Sequence, residues 1–274
     1  LYQILCRKII ERNWFPSVFR AGFQAERPDS HWFLEQWIPF DISNMALDDN
    51  KELDNTTDFK NGRSGNWRSA VSDWSIYNPS HDDYQIKGNC RRWIGRALNI
   101  LNRIASIDES EMDKAFKRAD QGLPTLLGLA SHDFRNLETE VDYVRELINM
   151  TKSKYPDVKF KFCNSLDGFR NYLGYSETNI EPIKLKVVLN KNPKNDVPNI
   201  SIKTIRGKVF GPQPFLAIQT KSNRFIHDNL DFSTNAGEWS YAFHEDTLPL
   251  EDISNIGVAC NDKYGAQFIE TINL

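Results

Sequence analysis

Apolar positions follow two different rhythms along this chain, and the change near residue 174 divides it. Before that point, helix-like and strand-like stretches alternate. Leu1, Ile4, Leu5 and Ile9 form a helical stripe. Residues 17–23 (SVFRAGF) predict a short strand, residues 30–37 a short helix capped by Ser30, and residues 38–42 (IPFDI) a second strand. Residues 43–68 are polar and predict a long loop, a feature that in compact domains is usually functional or wrapped over the surface. Residues 88–107 place Trp93, Leu98, Leu101 and Ile104 on one side of a predicted long helix. Residues 124–130 (PTLLGLA) are continuously apolar, as buried parallel strands are. Asn136 caps a predicted helix reaching residue 153, with Glu138 and Glu140 suited to its dipole and Val141, Val144, Leu147 and Ile148 on its core face. Residues 158–162 (VKFKF) alternate as a strand, and residues 166–173 predict a further helix.

This alternation predicts an α/β fold with parallel strands, here a partial (β/α) barrel over residues 1–174. About four strands are countable, too few for a closed eight-stranded barrel. Leu1 opens a helical stripe with no capping residue before it, which favours a fragment whose first strands lie upstream. Residues 175–183 predict a linker. Across 184–274, short runs at 184–189, 200–205, 215–220, 239–243, 253–259 and 267–272 recur between turn clusters and predict a small β-sandwich. Trp239, Tyr241 and Phe243 share one strand face and are expected in its core rather than on a sugar-stacking surface.

Bulk chemistry removes several function classes. The chain has 274 residues, 40% hydrophobic and 26% charged, the balance of an ordinary globular protein. Its net charge of −3, with basic residues scattered, argues against a nucleic-acid partner. No apolar run nears the roughly 20 residues of a membrane span. Cys6, Cys90, Cys163 and Cys260 form no CxxC pair, which argues against a zinc ribbon. The GxGxxG, GxxxxGK[ST] and GxSxG patterns are absent, so nucleotide loops and a serine nucleophile elbow are unsupported.

In parallel α/β folds, reactive groups project from the carboxyl ends of the strands. The predicted ends carry Arg20 to Phe23, Asp41, His132 with Asp133, and Cys163 with Asn164. Asp73 and Trp74 lie in the loop after the second strand, and a polar segment at 78–88 (NPSHDDYQIKG) adds Tyr84. FRAGF (19–23), PFDIS (39–43), SDW (72–74) and LASHDF (129–134) occur in an order that resembles the later motifs of the polysaccharide deacetylases, the NodB-homology enzymes of carbohydrate esterase family 4. The resemblance covers roughly residues 1–173. It implies a distorted (β/α) barrel that removes N-acetyl groups from a glycan or carbohydrate polymer with a bound divalent metal such as zinc. The family's metal-ligating motifs have no counterpart here, so the resemblance puts the metal ligands upstream of Leu1 and none within this chain. It also gives Arg20 the role of orienting the base, Asp73 of tuning the acid, Trp74 of shaping the groove and His132 of general acid. Phe23, Asp41 and Tyr84 are further candidates for substrate contact.

Plainer roles stay open for each. His132 and Asp133 can start a helix, Arg20 can sit in an ion pair, Asp73–Trp74 can be a loop anchored by a buried indole, and Asp41 can bond to backbone. Two other functions also stay open. One is a non-catalytic carbohydrate-binding or scaffolding protein, and the other a glycoside hydrolase pairing Asp41 with Asp73.

Overall fold

The computed structural model describes residues 1–48, 65–102, 104–175, 181–194 and 197–274. Residues 49–64 of the predicted loop and 176–180 of the predicted linker lie outside the described residues. The helices are α1 (Tyr2–Arg12), α2 (Pro28–Trp37), α3 (Glu109–Asp120), α4 (Leu137–Lys154) and α5 (Ser165–Tyr172). The chain forms two units: Val18–Trp32 with Phe40–Ser176, and Leu1–Ser17 with Phe33–Pro39 and Glu177–Leu274. Among the described residues, no helix is long and apolar enough to cross a membrane.

The first unit is built on an open parallel sheet in chain order, β1 (Val18–Phe19), β2 (Phe40–Asn44), β3 (Trp93–Asn99) and β4 (Gly128–Ala130). Val18 pairs with Phe40, Phe40 with Trp93, and Ala97 with Gly128, all in parallel register. The predicted long helix at 88–107 is therefore corrected: this segment carries the central strand β3. Ile94 and Leu98 enter one apolar cluster while Ala97 enters another on the opposite face. A strand apolar on both faces loses its two-residue alternation, and the two buried arginines, Arg92 and Arg96, blur it further. α3 was not predicted, although Asp108 caps it by accepting from the Glu111 amide at 2.8 Å. Asn136 and Asn164 cap α4 and α5 through the Glu138 and Asp167 amides. The predicted strand at 158–162 joins no sheet and its phenylalanines are exposed. Alternation marks two faces, but a strand also needs an edge to pair with.

Two buried arginines tie this unit together. Arg96 on β3 donates to both Glu111 carboxylate oxygens at 2.6 and 2.8 Å, and to the carbonyls of Ala46 and Ser72. Arg92 ion-pairs with Asp41 of β2 and with Glu26, all three enclosed. Asp41 also accepts the Ser43 amide at 2.8 Å, so this candidate for substrate contact is instead a buried structural carboxylate. Arg92 further approaches His31 Nδ1 at 2.7 Å, while His31 Nε2 lies 3.0 Å from the Ser80 carbonyl. A guanidinium only donates and a carbonyl only accepts, which requires a neutral imidazole protonated at Nε2. Burial, and then the Arg92 charge, lower the His31 pKa in agreement with that tautomer. One cation facing two carboxylates leaves a surplus negative charge. Burial first, and then Asp41, push the Glu26 carboxyl up to about 9 against the pull of Arg92, so Glu26 keeps its proton.

The second unit holds two antiparallel four-stranded sheets. One has the order β5 (Lys184–Asn190), β6 (Asn199–Arg206), β10 (Glu238–Ala242), β9 (Asp231–Phe232). The other has the order β12 (Gln267–Asn273), β11 (Ile253–Asn261), β7 (Phe215–Thr220), β8 (Phe225–Asp228). Ile200 and Ile202 of one sheet share a core with Leu216, Ile218 and Val258 of the other, as in a β-sandwich. Trp239 and Phe243 are buried in this core and Tyr241 packs beside it. The short strands β8 and β9 were not predicted.

α1 belongs to this unit, not to the α/β unit that residues 1–174 were expected to form. Its stripe of Leu5, Cys6 and Ile9 is buried among contacts with β7, β8 and β11. Gly257 on β11 leaves the space: a Cβ there would lie 2.6 Å from Ile9 Cγ2. Buried Asn261 joins the separate segments, donating to the carbonyls of Pro16 at 2.8 Å and Trp37 at 2.9 Å and accepting from Ser17 Oγ at 2.8 Å.

The Glu26 proton gives stability a defined pH dependence. The folded carboxyl titrates at about 9 and the unfolded one near 4.5, so folding binds a proton between these values. Stability is then greatest below about pH 4.5 as far as this group is concerned and falls as pH rises toward 9, by at most about 1.4 kcal/mol per pH unit. Glu26→Gln should remove this slope in urea denaturation curves recorded between pH 5 and 9. An unchanged slope in the variant would show that Glu26 is ionised in the fold.

Candidate functional site

At the carboxyl ends of β1, β3 and β4 lies a cleft of about 610 Å³. The chain leaving β1 contributes Arg20, Phe23 and Gln24, the end of β3 contributes Asn99 and Asn102, and the segment after β4 contributes His132 and Arg135. This is where open parallel sheets place their ligands. The structure thus brings together Arg20, Phe23 and His132, three of the residues singled out from sequence.

The wall beside β1 is an unusual piece of backbone. Phe23 and Gln24 both take left-handed conformations, at φ 55° and 48°, and Leu101 across the cleft does so at φ 45°. Non-glycine residues adopt this region at a cost of about 1–2 kcal/mol each, and such strain concentrates at functional sites. The turn is held from behind. The buried Trp67 indole donates to the Gln24 carbonyl at 2.8 Å, and the Gly65 amide donates to the Phe23 carbonyl at 3.1 Å. Ala21 N–H donates to Ser43 Oγ at 2.8 Å. The turn therefore presents the Phe23 ring outward, 69% exposed, while the buried Gln24 side chain has no acceptor for its Nε2 among the described residues.

Arg135 is fixed in place by the carbonyls of Ile100 and Leu101 and by Glu140, at 3.0 to 3.2 Å. Glu140 also accepts from Ser131, and its carboxyl is held below the usual range chiefly by that hydrogen bond. Arg135 is thus partly neutralised. Arg20 has neither an ion pair nor a hydrogen bond from its guanidinium among the described residues.

The other sequence candidates lie elsewhere. Asp73 pairs with Arg118 at 3.1 Å, and Arg118 also donates to the Pro124 carbonyl. The Leu126 amide donates to the Trp74 carbonyl. Pro124 and Leu126 precede β4 and His132 follows it, so Asp73 and His132 stand at opposite ends of that strand. Asp73 does not tune His132. Its carboxyl is lowered because hydrogen bonds from Ser75 and the Arg118 charge outweigh partial burial. Trp74 shapes no groove: its ring is fully buried, its Nε1 donates to the Glu111 carbonyl at 3.0 Å, and Arg96 lies 4.2 Å above its face. Tyr84 is buried with its hydroxyl between the carbonyls of Glu26 and Asn66. Asp41 and Asp73 face no common groove, one being enclosed with Arg92 and the other exposed beside Arg118, which removes the geometric basis of a paired-carboxylate glycosidase.

Sequence reasoning missed Gln24, Asn99, Asn102 and Arg135 in the cleft and Gly65 and Trp67 behind it. Arg135 was within reach, three residues after His132 in the same strand-end segment. Asn99 was hidden by reading β3 as a helix. A divalent metal, implied by the resemblance, does not fit the described residues: none of their His, Cys, Asp and Glu side chains form a group of three or more able to hold one. Comparison with protein-family models, curated proteins and solved structures found no match to this chain.

Gly65 offers a direct probe of the cleft wall. A Cβ at this position would lie 1.7 Å from the Gln24 carbonyl oxygen, which is backbone and cannot rotate away. Gly65→Ala should therefore displace the Phe23–Gln24 turn, costing about 1–3 kcal/mol in chemical denaturation and weakening any ligand bound at Phe23. A variant as stable as the wild type, with ligand binding intact, would contradict this account of the turn.

Proposed function

We propose that this chain is directed at carbohydrate and that its carboxyl-end cleft is the substrate-handling part of a polysaccharide N-deacetylase. The reading is supported by one observation above the others: Arg20 and His132, more than a hundred residues apart in sequence and drawn from two motifs that resemble that family, line the same strand-end cleft. Phe23 adds an exposed aromatic face of the kind a sugar ring can lie against.

Hydrolysis of an acetamido group needs water to attack the carbonyl, stabilisation of the resulting oxyanion, and a proton for the departing amine. In this reading His132 delivers the proton to the amine nitrogen. Arg135, fixed by two carbonyls and Glu140, forms the rigid wall beside it. Phe23 and the Asn102 side chain position the sugar. Asp73 has no part in the reaction. In a second reading the same cleft binds glycan without hydrolysing it, a role that the exposed Phe23 ring serves equally.

Acetate release from N-acetylated oligosaccharides, measured with and without added zinc, separates the two. Under the first reading His132→Ala should lower kcat by about 10²–10⁴-fold with little change in KM, and Asp73→Asn should stay within about twofold of wild type. Equal losses in both variants would sink this assignment of roles. Oligosaccharide binding without acetate release under either condition would select the non-catalytic reading.

A further inference from the structure

A second and larger cleft, of about 720 Å³, adjoins the first through Arg20, which lines both. It runs along β4 and is bounded on its far side by the unpaired segment at 158–164. Two features of the combined surface stand out. Among the described residues, no aspartate or glutamate lines either cleft, although the chain carries 37 acidic residues and a net charge of −3. Meanwhile Arg20, Lys159 and Lys161 have no hydrogen bond or ion pair from their side chains among the described residues. Aromatic rings accompany these charges: Phe160 is 45% and Phe162 is 73% exposed, with Phe23 at the other end.

The geometry points to an acidic glycan chain as the ligand of this double cleft, its carboxylate or sulfate groups meeting Arg20, Lys159 and Lys161 and its sugar rings lying on Phe23, Phe160 and Phe162. The inference rests on the carbohydrate reading above and narrows it to polymers that carry negative charge. Each carboxylate placed on such a surface would repel the ligand, whereas cations spaced along it attract a regularly charged polymer and lose strength as salt rises. Only a few cations are spread over the two clefts, which matches one charge per sugar or disaccharide better than the dense charge of a nucleic-acid backbone.

Binding of the full chain should be measured by calorimetry to three probes. These are a hyaluronan oligosaccharide (alternating N-acetylhexosamine and uronate), the same oligosaccharide with its carboxylates reduced to alcohols, and a single-stranded oligothymidylate. The acidic sugar should bind about tenfold more tightly than the reduced one, and this preference should shrink at high salt. Arg20→Gln should weaken the acidic probe by roughly fivefold, and Lys159→Glu with Lys161→Glu by roughly tenfold or more, each by more than it weakens the reduced probe. Arg20→Lys should retain most of the affinity, which separates lost charge from lost folding. Equal affinity for the two sugars, or insensitivity of the acidic probe to these substitutions, overturns the inference but leaves carbohydrate binding intact. Tighter binding of the oligothymidylate overturns both. Selective binding of the acidic sugar without acetate release upholds the inference and removes the deacetylase activity alone.

Discussion

A single guanidinium enclosed with two carboxylates and an imidazole is the constraint on which the α/β unit depends. Arg92 collects Asp41, Glu26 and His31 from three places in the chain just before the central strand begins. Ions removed from water are stable only when every charge is answered, and deleting one partner of such a group typically costs about 3–5 kcal/mol. The group is neutral only if Glu26 is protonated and His31 is not, which the directions of both pKa shifts satisfy. Glu26 also stands two residues after Gln24, and its amide donates to the Gln24 carbonyl at 2.9 Å. The same carbonyl receives the Trp67 indole. The strained turn that forms the cleft wall is therefore anchored directly to the ion cluster.

That anchoring explains how two successive non-glycine residues can remain left-handed. Relaxing Phe23 and Gln24 would recover a few kcal/mol locally, but it would pull the Gln24 carbonyl from two donors and crowd it against Gly65. A side chain that is costly to hold outward, as Phe23 is, suggests use at that position. His132 and Arg135 are carried by a different strand end and fastened separately, through Glu140 and the carbonyls after β3. The cleft is thus assembled from rigid pieces rather than from a free loop.

The sequence revealed those features that leave a local signature. The helix cap at Asn136, the alternating strands after residue 184 and the parallel order of β1, β2 and β4 all follow short-range rules. Strand-end logic pointed to Arg20, Phe23 and His132, which line one cleft. It failed at β3, where burial on both faces erased the alternation, and at Asp41, where a carboxylate at a strand end pairs with an arginine fifty-one positions away. Asp73 and Trp74 looked like site residues because the SDW triplet resembles a family motif and follows a strand end. Their partners, Arg118, Glu111 and Arg96, are set by packing that no short motif encodes. The place of α1 in the β-sandwich unit depends on Gly257, more than two hundred residues away, and was equally illegible.

The segment VKFKF has one more consequence, for solubility. Val158, Phe160 and Phe162 favour a strand, and the two phenylalanine rings are exposed on a segment that pairs with no strand among the described residues, the kind of stretch that recruits identical copies into stacked fibrils. Lys159 and Lys161 place a like charge at every second position, so stacked copies in register would repel one another. Selection for an uncharged residue at both sites would remove that gatekeeping, which makes charge at these positions valuable to the chain even when the cleft is empty.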